Sequence, residues 1–371
     1  MRIATYNVEN LFARAKAMKS PMGGSTADTL AAHAEINTLF NRPTYDDATK
    51  TRMLELLEQL GLLTSDTADL VILRKVRGKL LTRRRNGTVE IVASGRADWI
   101  GFVELRTEAV DDLAMQHTAM VIRDIDADIL GVIEAESRPT LQKFSAAVLD
   151  AVPGGQPYER SMVVEGNDDR GIDVGLLWRP TYQLQHIHTH VFDADDKGVI
   201  FSRDCCEYHL AAPGKPRLVV LVNHFKSKGY SSPGDRLGNT KRSRQSTQVA
   251  KIYHSLVDQG FEHVAVVGDL NDLPDSESLK PLIAKTDLRD ISEHETFDWQ
   301  GREGTYGSTN DKIDYVLLSP ALFERATGGG VFRKGVWRGP RTRNPWEIYD
   351  SLTADVHQAS DHAAVWAELD I

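Results

Sequence analysis

Five apolar runs in this 371-residue chain end in side chains that can do chemistry. Asn7 ends the first, and Glu9, two residues on, shares its face if the strand persists. Glu134 ends "DILGVIEAES", Asn223 and His224 end "RLVVLVNHF", and Asp269 and Asn271 end "HVAVVGDLND". Asp361 and His362 stand just before the last run, "SDHAAVWAELDI". One Asp or Asn at a strand end is ordinarily a turn residue, but five such ends that mix carboxylates, amides and imidazoles are harder to explain as turns. Oxygen ligands without thiolates suit a hard cation, Mg²⁺ or Mn²⁺ with Ca²⁺ as a third option; such ions are held by one or two carboxylates plus substrate phosphate oxygens. Histidines beside them suit proton transfer near neutrality. Together these parts fit hydrolysis of a phosphate ester.

The elements that must position these groups are strands that outnumber helices, which predicts a mixed-sheet α/β core. "RIATYNV" alternates as a half-buried strand, whereas "RLVVLVNHF" is continuously apolar and reads as central. Helical spacing predicts helices near 111–126, 139–150 and 241–258. Residues 14–110 read as an insertion of about a hundred residues after the first strand, packed beside the core and far longer than an ordinary connection. Within it "TKTRMLELLEQLGLL" is an amphipathic helix ending near Gly61, and Asn86-Gly87 signals a hairpin. Its opening at 21–25 is Gly/Ser-rich, and "GGG" at 328–330 predicts a flexible loop. The whole chain, 1–371, is then one domain with an insertion.

Composition narrows the class. A hydrophobic content of 41% supports a sizeable core, and no apolar run reaches the ~18 residues of a membrane helix. The first strand begins almost at the N-terminus with no secretory pattern, so a cytoplasmic location is expected, secretion after removal of a signal aside. Cys205 and Cys206 are adjacent, which strains a disulfide, and read as core residues. The net charge is −9, yet basic residues crowd into 74–85, 226–251 and 325–343, a distribution able to make a phosphate-attracting face on an acidic body.

"TYNVENL", "GVIEAE", "RGIDVGLLWR", "VNHFKSKG", "GDLND", "KIDYVLLS" and "SDHAAV", in this order, resemble the motifs of the endonuclease/exonuclease/phosphatase family, the superfamily of DNase I and the exonuclease III-type enzymes. The likeness covers 1–12 and about 125–371; "NHFKSKG" followed by "RSRQSTQVAKI" is similar to the bacterial extracellular-type nucleases. The resemblance implies a four-layer α/β sandwich of two mixed β-sheets with outer helices. It implies Glu134 as the principal metal ligand, helped by Asn7 and Asp361, with Glu9 as a second-metal ligand. Asp269 would orient or deprotonate water or protonate the leaving oxygen. His362 would pair with Asp314, His224 would assist proton transfer, and Asn271, Asn223 and Arg170 would hold the phosphate.

The expected activity is a divalent-metal-dependent phosphodiesterase, a nuclease of low sequence specificity with DNA as partner. A phosphatase or phosphodiesterase for a small-molecule or lipid ester is the rival. Lys226 and Lys228 share one face if their strand continues, and would grip phosphates there. "HIHTH" places His186, His188 and His190 in alternation, but no carboxylate or cysteine at fitting sequence spacing supports a zinc site.

Overall fold

Alternation in the central strands sends every second side chain into one buried layer, and that layer ends at the candidate residues. The computed structural model describes residues 1–9, 11–18, 24–168, 170–228, 235, 237–339 and 346–371. Gly23 of the Gly/Ser opening and the basic residues Arg236, Arg341 and Arg343 lie outside the described residues. The chain divides into two compact units, the first Met1–Phe12, Val110–Ser227 and Asn239–Ile371, the second Ala13–Ala109 and Lys228–Gly238.

The first unit is built on two sheets. Their strands are β1 (Arg2–Asn7), β2 (Ile129–Ala135), β3 (Arg160–Val164), β4 (Asp173–Trp178), β5 (Gln183–His188), β6 (Cys206–Ala211) and β7 (Leu218–His224). They continue with β8 (Val264–Asp269), β9 (Arg289–Asp290), β10 (Phe297–Asp298), β11 (Asp314–Leu318), β12 (Ala326–Phe332) and β13 (Ala364–Leu369). One sheet has the order β10-β12-β13-β1-β2-β4-β3, the other β5-β6-β7-β8-β11-β9. Both are mixed, since β1 runs parallel to β2 and β7 parallel to β8 while their other neighbours are antiparallel.

Ile3, Ile133 and Val174 of the first sheet pack with Val220, Val222, Ala265, Val267 and Val316 of the second in one core. Ala4, Leu130 and Val132 face the other way, against Ala119, Val121 and Ile122 of helix α1 (Asp112–Ile125). Val219, Leu221 and Val266 likewise pack on Val249, Ile252 and Tyr253 of α2 (Asn239–Asp258). The layers run helix, sheet, sheet, helix. Each buried Val, Ile or Leu contributes about 1.5–3 kcal/mol, so the sandwich fixes its strand ends firmly. Helix α1 begins where the Asp111 carboxylate accepts from the Leu113 and Ala114 amides.

The "GGG" expectation is corrected. Gly328, Gly329 and Gly330 lie within β12, paired with β13. A Cβ on Gly329 would stand 2.5 Å from Ile291 Cγ1 and 2.8 Å from the Trp366 carbonyl, so close approach explains the glycine there. Cys205 and Cys206 are buried free thiols.

In the second unit, helix 24–40 and helix Asp47–Gln59 pack with the hairpin Val71–Gly78/Trp99–Leu105, where Phe40 and Trp99 meet edge to face at 4.6 Å. A smaller hairpin, Leu81–Arg83 with Val89–Ile91, turns at Asn86-Gly87. Arg74, Arg83 and Arg84 pair with Glu104, Asp66 and Glu90. Among the described residues no helix is long and apolar enough to cross a membrane.

Candidate active site

Three neighbouring strands of the second sheet carry His224, Asp269 and Asp314 in register, His224 opposite Asp269 and Asp269 opposite Asp314. Each continues the inward parity of Val222, Val267 and Val316. Asn7 does the same on β1 after Ile3 and Thr5, and its Nδ2 lies 3.5 Å from Asp269 Oδ2. His362, just before β13, places Nε2 3.9 Å from the same oxygen, and His224 Nε2 lies 3.6 Å from it. Asp269 Oδ2 is thus a point on which an amide and two imidazoles converge.

Backbone strain aims several of these groups. Only five described non-glycine residues have positive φ, and three are Glu9, Glu134 and Asn271. Glu134 is the extra residue of a β-bulge, since Asp173 pairs with Ala135 and Val174 with Ile133. At φ 67° it leaves the strand's alternation and reaches the edge of the intersheet layer, its Oε1 3.7 Å from His224 Nε2. Such a conformation costs about 1–3 kcal/mol. Glu9 is a departure from expectation: β1 stops at Asn7, and Glu9 turns at φ 48° with its amide donating to Asn7 Oδ1 at 3.1 Å. Asn271 also turns, at φ 54°, and donates through its amide to Asp269 Oδ1 at 2.8 Å and through Nδ2 to Asp269 Oδ2 at 2.9 Å. Gly268 is required, because at φ 138° a Cβ would lie 1.9 Å from the Asn223 carbonyl.

The two imidazoles are pushed apart in charge. Burial works against the charged form of His362, but the carboxylates of Asp314, Asp269 and Asp361 outweigh it and hold its pKa well above the ordinary value. Its Nδ1 lies 2.9 Å from Asp314 Oδ2. Burial, with Arg203 and Arg170 nearby, holds His224 well below. Burial and the Asp314 and Glu134 charges push Asp269 up to about 7, opposed by His362. At neutral pH the site therefore holds a cationic and a neutral imidazole around a carboxylate poised to exchange a proton.

Two groups of acids offer themselves to a cation. Asp269, Asp314 and His362 have ligand atoms within 4.8 Å of one another. Asp314 and Asp269 hold the His362 pKa up, so a proton competes with a cation for that cluster. Glu134 fits a cation better. Burial raises its pKa against the opposing charges of His362 and Arg170, and no described hydrogen bond satisfies its carboxylate. Tyr306 packs edge-on to His362 at 5.1 Å and is hydrogen-bonded to Asp361, which with burial raises its own pKa.

The remaining expected residues fare differently. Asn223 is a correction: fully buried, it follows Leu221 in parity rather than His224, and its Nδ2 donates to the Leu221 carbonyl at 3.3 Å. It does not face the site. Arg170 grips Asp168 through Nε and Nη2 at 2.8 and 2.7 Å. Asp168 also accepts from the fully buried Arg203 at 3.0 Å, and Arg203 donates on to the Phe225 carbonyl. Lys226 lies near this cluster, and burial with Arg170 and Arg203 lowers its pKa to about 7. Strand β7 ends at His224, so Lys226 and Lys228 do not share a strand face; Lys228 is exposed and falls in the second unit. Asp168, Arg203 and Tyr306 escaped the sequence reading, although "DDRGID" holds Asp168 beside Arg170.

The family model described as "Endonuclease/Exonuclease/phosphatase family" matches residues 90–322. The chain belongs to this family. Its members are hydrolytic enzymes acting on phosphate esters. An endonuclease/exonuclease/phosphatase family protein from Bacteroides thetaiotaomicron shares the fold, with a TM-score of 0.50 and 17% identity over 69% of this chain and 89% of that one. A mannosyl-6-phosphatase of the same organism superposes with a TM-score of 0.51 and 17% identity over 70% of this chain and 92% of that one. A comparison with curated proteins finds no match.

Proposed function

We propose that this family member is a divalent-metal-dependent phosphodiesterase that cleaves nucleic acid, DNA in particular, with little regard to sequence. The observation that carries the reading is the pair of imidazoles flanking Asp269 Oδ2, His224 at 3.6 Å and His362 at 3.9 Å, the first held neutral and the second protonated. Cleaving a diester requires a base for water and an acid for the departing alkoxide. Asp269, with its pKa near 7, suits the base, and His362, held protonated by Asp314, suits the acid. Neutral His224 keeps the second side of Asp269 free of competing charge. Arg170, although bidentate on Asp168, and Lys226, about half protonated at its lowered pKa of about 7, would lend positive charge to the non-bridging phosphate oxygens. Glu134, with Asn7 and Asp361, would hold Mg²⁺ or Mn²⁺, which supplies charge neutralisation to the phosphate when bound.

One observation favours a small phosphate ester instead. In the second unit Arg74, Arg83 and Arg84 are each paired with a carboxylate, which reduces that basic run as a DNA clamp. Incubation with supercoiled plasmid and with a panel of sugar and nucleotide monoesters, each with Mg²⁺ and with EDTA, separates the readings. Plasmid nicking in Mg²⁺ alone is expected. Monoester turnover without nicking would overturn the nuclease assignment.

A further inference from the structure

The histidines of "HIHTH" acquire partners that sequence spacing hides. Strand β5 is the edge of its sheet, and in its pairing with β6 His186 stands opposite His209 and His188 opposite Glu207. All four side chains therefore leave one face of the sheet. They line a groove of about 830 Å³ whose other wall includes Gln248 and Lys251 of α2. The four imidazoles surround the Glu207 carboxylate: His209 and His186 have ring centroids 5.3 Å apart, His186 and His188 6.3 Å, and His188 and His190 4.7 Å.

Glu207 sorts these rings into two kinds. His190 is spent at both nitrogens, Nε2 on Glu207 at 2.7 Å and Nδ1 on Asp193 at 2.9 Å. His209 meets Glu207 through Nε2 alone, at 2.9 Å. Its Nδ1, and the rings of His186 and His188, have no hydrogen-bond partner among the described residues. A histidine that gives one N–H to a buried carboxylate presents its other nitrogen as a fixed, more basic ligand.

We infer that this face is a second metal site, for a late first-row transition ion such as Zn²⁺, with His186, His209 and His188 as ligands and Glu207 orienting His209. Two histidines two apart on one strand and a third on its neighbour is a compact way to supply three imidazoles to one ion. Imidazoles bound to a tetrahedral ion at about 2.0–2.1 Å have ring centroids roughly 5 Å apart, which the His186–His209 pair already meets. His188, exposed and stacked on His190, would have to turn its side chain to join them. The ligand chemistry sets this site apart from the Glu134 centre: imidazole selects zinc, nickel or copper, and carboxylate and amide oxygens select magnesium.

Zinc binding to the untagged, chelator-stripped full chain in a large excess of Mg²⁺ tests the inference independently of the catalytic reading. The wild type is expected to take up one zinc. His186→Ala, an exposed change that should leave the near-ultraviolet circular dichroism and the Mg²⁺-dependent hydrolysis intact, should lower zinc affinity at least tenfold. His209→Ala should do the same, and Glu207→Gln should lower it about 10–100-fold as the loss of an orienting carboxylate does elsewhere. Co²⁺ in place of zinc should show tetrahedral visible absorption that His186→Ala abolishes. A wild-type chain that takes up no zinc under these conditions, or a His186→Ala chain with wild-type affinity, would overturn the site.

Discussion

His362 Nδ1 lies 2.9 Å from Asp314 Oδ2, and both side chains are buried, at 8% and 2% exposure. This contact fixes the ring so that Nε2 is the nitrogen aimed at Asp269 and Asp361. It also decides the charge of the site, because Asp314 leads the carboxylates that keep His362 protonated against its burial.

Asp314→Asn should therefore change the pH profile as well as the rate. Activity requires an ionised Asp269, so it rises through about pH 7, and a protonated His362, so it falls at alkaline pH. Removing the Asp314 charge lowers the His362 pKa, and the alkaline limb should move to lower pH. A rate loss on the order of 10²–10⁴ at neutrality is expected for a mispositioned acid. An alkaline limb left in place would separate Asp314 from the protonation of His362.

The bulge at Glu134 predicts a trade between stability and activity. Glu134→Gly removes a side chain from a left-handed backbone at φ 67° and from a half-buried position that burial disfavours for a carboxylate. Thermal unfolding should show a gain of about 1 kcal/mol, while hydrolysis disappears. Loss of stability in this variant would mean that Glu134 is satisfied in the folded chain.

Asp168 sits between Arg170 and Arg203 with all three side chains at 5% exposure or less. Asp168→Asn should cost about 3–5 kcal/mol by leaving buried guanidinium charge uncompensated. Burial opposes the Asp168 charge, but Arg170 and Arg203 overcome it and depress the pKa. The stabilisation is then complete above the ordinary carboxylate value near 4, and is lost as pH falls toward the depressed folded pKa. Acid unfolding of the variant should be shallower than that of the wild type. An unchanged acid limb would show that the cluster contributes nothing.

Much of this site was legible because the chemistry rides on strand alternation. Val222, Val267 and Val316 announce an inward face, and His224, Asp269 and Asp314 extend it by two residues or less. The same rule, applied strictly, turns Asn223 away, since it and His224 are adjacent on one extended strand. Glu134, Glu9 and Asn271 were found by residue type, but their directions were not readable, because each depends on a left-handed backbone that tertiary packing imposes. Arg203 and Tyr306 come from segments between strands, where no periodicity marks a side chain's direction. Glu207 and His209 are near His186 only across a sheet pairing, some twenty residues away in sequence.

The central claim is that His362 acts as the acid for the departing oxygen at a metal-dependent phosphodiester site, and leaving-group dependence tests it most directly. In Mg²⁺, wild type and His362→Ala are compared on supercoiled plasmid, whose leaving alkoxide needs a proton, and on an aryl phosphodiester, whose leaving phenolate does not. A loss on the order of 10²–10⁴ on plasmid and a much smaller loss on the aryl ester are expected. A folded His362→Ala chain that nicks plasmid at close to the wild-type rate would contradict that claim.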